Sequence, residues 1–142
     1  MRAYDRWRSL NSHEQRLTWM SAFVVAAVTI LLRVVRVQRL LRAASRPIHG
    51  RAATDHEIDM RVGAIDRAGR YVPGATCLAK SLALTWMLRG RGRSASVHMG
   101  VENTAPLEAH AWVECEGVSL TDPKGAAAFI SSRQLETVDG RR

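Results

Sequence analysis

Hydrophobic positions along this chain change period once, after Gly92, from helical spacing to alternation. No Gly or Pro interrupts residues 12–45, and Ser12 with Gln15 three residues later fits a capping box, so the pattern predicts one helix over 12–45. Its first half is the longest apolar run, "LTWMSAFVVAAVTILL" from Leu17 to Leu32. Its second half is amphipathic, with Arg33, Arg36, Arg39 and Arg42 at i+3 steps and Leu31, Val34, Val35, Leu41 and Ala44 on an apolar side. "SRPIHGRAAT" then reads as a linker, broken by Pro47 and Gly50. Thr54 caps a second helix with Glu57, running to about Ala68, and "GRYVPG" is a loop. A third helix begins at Ala75, "ATCLAKSLALTWMLRGRG", with Leu78, Leu82 and Trp86 at i+4 steps and Gly90 and Gly92 to stop it. Cys77 therefore lies in a helix's first turn.

Beyond Gly92 the alternation of Ala95, Val97, Met99 and Val101 predicts a half-buried strand. "NTAPLE" is a loop, and "AHAWVE" and "VSLTD" are two further strands around Gly117, the second ended by Pro123. The hairpin register decides which side chains meet. A two-residue loop, Glu116 and Gly117, sets His110 opposite Pro123 and turns Asp122 to the other face. A three-residue loop, Cys115 to Gly117, pairs Glu114 with Val118, Trp112 with Leu120 and His110 with Asp122. The three-residue form takes a left-handed residue at its third position, where Gly117 stands, and is the expected one. Directly opposed residues bring Cβ atoms to about 5 Å, within reach of an imidazole–carboxylate hydrogen bond. Cys115 falls at the turn, on the opposite parity to His110.

The 142 residues suffice for one compact unit plus an accessory segment, divided here as a helical N-terminal segment, 1–50, and a core, 51–142. The net charge of +8 is uneven: residues 1–53 hold ten Arg and two acidic residues, residues 54–142 eleven basic and eleven acidic ones. A solvated basic face is the ordinary meaning of such an arginine stripe. A docking surface for an acidic partner, peptide or lipid headgroup is the alternative. Nucleic acid is not an expected partner, because the charge lies on one helix and "GRGR" without interleaved aromatics or a reading motif. The sixteen-residue apolar run falls short of the about 20 needed to span a bilayer and carries no small-residue cleavage site. It reads as a helix packed on the domain or a partner, with peripheral membrane contact as the alternative.

Two cysteines, Cys77 and Cys115, are too few for a disulfide scaffold, and neither sits in a CxxC or Cys/His metal pattern. The five histidines are scattered without HExxH, so no metal and no cofactor are expected, and a reducing, cytoplasmic setting fits. A thiol in a helix's first turn lies in the positive end of the macrodipole, which favours the thiolate. A Cys helix packed against a sheet bearing His, with Asp orienting that His, is the thiol form of the nucleophile, base and orienter arrangement. Taken singly, each residue has an ordinary structural explanation: a core thiol, a strand histidine, a turn aspartate before proline.

"TCLAKSLALTWMLRGRG", a strand, and "AHAWVECEGVSLTDP" together resemble the transglutaminase-like cysteine peptidase core. Within it they resemble the leader peptidase of lasso peptide biosynthesis, the B-type protein. In that family a Cys opens a helix, a His-Ala-Trp-Val-Glu strand follows roughly thirty residues on, and an Asp on the next strand completes a triad. The resemblance covers about residues 50–125 and implies an α+β, papain-like fold, with the nucleophile helix packed on a small antiparallel sheet. It implies Cys77 as nucleophile, His110 as general base and acid, and Asp122 as orienter. It also implies a precursor peptide as substrate, a separate leader-recognition protein, since no fused strand-rich module precedes the core, and a partner cyclase. Two other functions remain open: a transglutaminase-type acyl transferase, and a non-catalytic adaptor or membrane-associated scaffold.

Overall fold

The computed structural model describes residues 10–45, 50–102, 108–121 and 129–131. They form an α+β fold of helices α1 (Ser12–Val34), α2 (Val37–Ala44), α3 (Asp55–Gly69) and α4 (Cys77–Arg89) and strands β1 (Ala95–Glu102), β2 (Glu108–Cys115), β3 (Val118–Ser119) and β4 (Phe129–Ser131). The strands make one antiparallel sheet in the order β3-β2-β1-β4. The short β4 carried no alternation long enough to be expected from sequence.

Helix α4 organises the core. Its buried residues, Ala79, Ser81 to Thr85 and Leu88, run right round the helix, as expected of one enclosed on several sides. On one side it packs on β1 and β2, and on the others on α1, α2 and α3. Ala95, Val113 and Cys115 from the sheet, Val25 and Val28 from α1 and Ile58 and Ile65 from α3 join it in one cluster. The alternation read in β1 fades along the strand: Ala95 is buried, Val97 and Met99 are half-buried and Val101 is exposed, as the strand runs out from under the helix.

Three local expectations are corrected. The N-terminal helix is capped by Asn11 with Glu14, not Ser12 with Gln15: Asn11 Oδ1 accepts from the Glu14 N–H at 2.8 Å and the Asn11 N–H donates to Glu14 Oε2 at 3.0 Å. The two boxes are offset by one residue, and the carboxylate is the better acceptor at a helix's positive end. Gln15 instead donates to the Leu10 carbonyl. The single helix over 12–45 is two, broken at Val35 and Arg36, both extended. "RVVRV" concentrates β-branched residues, which lose side-chain freedom in a helix, so the break falls there.

The hairpin has the two-residue loop. Cys115 pairs with Val118 and Glu114 with Ser119, and Glu116 (φ 53) and Gly117 (φ 85) both take the left-handed conformation of a type I′ turn. Glu116 tolerates it because its N–H donates to the Ser94 carbonyl at 3.1 Å and its carboxylate pairs with Arg93. Cys115 is therefore the last residue of β2, buried in the core, and not a loop residue. The expected pairing of Glu114 with Val118 and Trp112 with Leu120 is replaced, and the expected pairing of His110 with Asp122 falls beyond the described residues. Asp122, Pro123, Pro47 and most of the "NTAPLE" loop lie outside the described residues.

Candidate active site

Cys77 is the first residue of α4. Thr76 caps the helix, its Oγ1 accepting from the Ala79 N–H at 3.2 Å. A cap of this kind satisfies one first-turn amide and leaves those of Cys77 and Leu78 to neighbours outside the helix. Lys80 and Ser81 follow one turn further on.

Ser81 ties this helix to the sheet. Buried, it donates to the Ala111 carbonyl at 3.1 Å. Because Ser81 is four residues after Cys77 and Ala111 directly follows His110, this bond sets the helix along the strand that bears the histidine. Cys77 and His110 then line one cavity of about 200 Å³, with Val62 and Ile65 of α3 as its apolar wall. Asp66, Lys80, Ser81, Ala111 and Thr121 complete the lining. His110 and Ala111 point to opposite faces of the strand, so a cavity touching both lies along the β2 edge. Thr121 holds that edge, its Oγ1 accepting from the Val113 N–H at 3.0 Å, and the Leu120 N–H donates to the Val113 carbonyl at 2.8 Å.

His110 is half-buried, and its ring belongs to a row of three. It stacks on Trp112 (centroids 6.4 Å apart, planes at 16°), and Trp112 stacks on His98 (5.8 Å, 23°). His98 faces Trp112 across the β1–β2 ladder, and its Nε2 lies 2.9 Å from Glu114 Oε2 and 3.0 Å from Ser96 Oγ. The row sets the plane of the His110 ring from one side. Sequence reasoning missed both halves of this support. The His-x-Trp spacing of residues 110 and 112 was a usable signal, since i and i+2 share a face, whereas His98 enters only through the cross-strand register. It missed Asp66, Lys80 and Thr121 as cavity residues too, because only the packing of α3 and β2 on α4 brings them together.

Of the three residues expected to act together, the structure brings Cys77 and His110 to one cavity, and Asp122 is the residue next in sequence to the cavity-lining Thr121. Cys115 lies in the core, where burial raises its thiol pKa above the ordinary value, the Glu116 carboxylate adds to that rise, and Arg93 opposes it. Among the described residues, no group of three or more His, Cys, Asp or Glu could hold a metal ion.

The family model described as Transglutaminase-like superfamily matches residues 22–133, from within α1 to beyond β4. No curated protein and no solved structure matches the chain.

Proposed function

The chain belongs to the transglutaminase-like superfamily, which includes cysteine peptidases and acyl transferases, and we propose that it is a cysteine peptidase that removes the leader from a lasso precursor peptide. The observation that carries the reading is a thiol at the first position of a helix and a strand histidine lining one cavity. The narrower substrate class rests on the resemblance of "TCLAKSLALTWMLRGRG" and "AHAWVECEGVSLTDP" to the lasso leader peptidases.

In this reading His110 takes the Cys77 thiol proton, and the sulfur attacks the carbonyl carbon at the leader/core junction. The oxyanion is held by the amides of Cys77 and Leu78, the first-turn donors that the helix does not use. The tetrahedral intermediate collapses, the C–N bond breaks, and His110 returns its proton to the leaving amine. The core peptide departs with a free α-amino group while the leader stays as a thioester on Cys77. His110 then activates a water that releases the leader as a carboxylate and restores the thiol. Asp122 orients the His110 ring, with the Trp112 stack holding its plane. A separate recognition protein presents the leader, and a partner cyclase joins the freed amine to a side-chain carboxyl.

Acyl transfer to an amine shares every step up to the thioester. The discriminating experiment incubates the protein with precursor and recognition protein, with and without an added primary amine, and reads peptide masses. Leader released as a free acid in both arms is the expected result. A leader that carries the amine, with no free acid formed, overturns hydrolysis in favour of transfer.

A further inference from the structure

Helix α1 is apolar on both sides, burying Leu17, Val25 and Val28 beside three hydroxyl residues, which is unusual for a surface helix of a soluble domain. Its polar residues Thr18, Ser21 and Thr29 face the core, their hydroxyls donating to the Glu14 carbonyl, the Met87 sulfur and the Val25 carbonyl. The opposite side exposes large apolar residues: Trp19 is 68%, Phe23 76%, Ile30 62% and Val34 75% exposed. At 3.6 residues per turn these four fall within an arc of about 60° and form a stripe about 22 Å long. Apolar patches of this extent on a monomer mark contact with something other than water.

Charge identifies what covers it. Arg16 and Arg33, both exposed, bracket the stripe, and the exposed Arg36, Arg39 and Arg42 continue from its end. No Asp or Glu occurs between Gln15 and Thr54. A second copy lying antiparallel on the stripe would set Arg16 against Arg33, like against like. Anionic headgroups over an apolar layer match both features, with aromatic side chains suited to the boundary and each arginine attracted to the surface.

By length and composition α1 could cross a bilayer, beyond the expectation from its sixteen-residue apolar run, but its other side is packed on α3 and α4 and supplies Val25 and Val28 to the core. Spanning would strip that core. We propose that the outer face of α1 seats the domain on an anionic lipid surface, with the helix lying in the plane of the interface. The stripe ends near the catalytic helix: a side chain at Gly74, in the loop leading to Cys77, would come within 3.3 Å of the Arg33 guanidinium. Docking therefore sets the approach to Cys77 beside the lipid surface.

The test is co-sedimentation of the full chain with phosphatidylcholine vesicles, with and without phosphatidylglycerol, alongside size-exclusion chromatography with light scattering. The wild type is expected to bind the anionic vesicles at least about tenfold more tightly than the neutral ones, less so as salt rises. Phe23→Ser/Ile30→Ser and Arg16→Glu/Arg33→Glu are each expected to lower that binding by about tenfold or more while keeping the helical circular dichroism of the wild type, since all four residues are exposed. Equal affinity for the two vesicle types, or binding unchanged in the Arg16→Glu/Arg33→Glu variant, overturns the proposal. So does a stable dimer that the Phe23→Ser/Ile30→Ser variant converts to monomer, which would assign the stripe to a second copy.

Discussion

Cys115 and Cys77 differ in what surrounds each sulfur. Cys115 ends β2 within the core beside Ala95 and Val113, where burial raises its pKa, and Cys77 opens α4 at a cavity. Unfolding returns the Cys115 thiol to its ordinary range near roughly 8.5, so the unfolded chain releases that proton first as pH rises. The stability contributed by the protonated thiol is thus whole below that range and is lost as pH climbs through the raised folded value. Cys115→Ala is expected to flatten this alkaline decline and to cost about 1–2 kcal/mol at neutral pH through lost packing. Urea unfolding at neutral and alkaline pH measures both, and an alkaline decline as steep as the wild type's contradicts the assignment. Iodoacetamide on the folded protein should modify Cys77 well before Cys115, as read by peptide mapping. The place of Cys77 was legible because Thr76 and the apolar spacing after it mark a helix start. The burial of Cys115 was not, because it turns on one residue of hairpin length. The left-handed Glu116 is held by Ser94 and Arg93, contacts distant in sequence.

The elements meet through a few side chains that can be tested singly. Ser81 bonds α4 to the Ala111 carbonyl, so Ser81→Ala is expected to cost about 1 kcal/mol of stability while lowering kcat by about tenfold or more with KM nearly constant, because it loosens Cys77 relative to His110. A loss of stability with kcat unchanged would reduce the bond to a packing role. Gly69 closes α3, and a side chain there would come within 2.5 Å of Lys80 Cδ. Gly69→Ala should therefore keep or slightly raise the melting temperature, since Ala favours helix by up to about 1 kcal/mol, while several-fold changes in KM follow the displacement of Lys80 from the cavity. Thermal melts and steady-state kinetics on the same preparation separate the two effects. Helices α3 and α4 were legible in outline from their caps and apolar spacing. The break at Val35 was not, because apolar and arginine positions continue in helical phase through "RVVRV" while only β-branching opposes the helix.

Over the whole molecule, α1 and the later elements share one core, with Val25 and Val28 packed beside Leu82, Leu84 and Val113. Unfolding followed by far-ultraviolet circular dichroism and by tryptophan fluorescence should accordingly give one coincident transition. A separate early transition of the N-terminal helix would make the division at residue 50 an energetic boundary. The α+β architecture was visible in the single change of hydrophobic period, and the Cys77–His110 juxtaposition in the placement of a helix start and a strand. The wall that Asp66, Lys80 and Thr121 add to the cavity comes only from three-dimensional packing. The most direct test of the account is cleavage of the precursor, with its recognition protein present, by wild type, Cys77→Ala and Cys115→Ala, read by mass spectrometry. The expected result is leader release by wild type and Cys115→Ala and none by Cys77→Ala, and equal release by wild type and Cys77→Ala would contradict it.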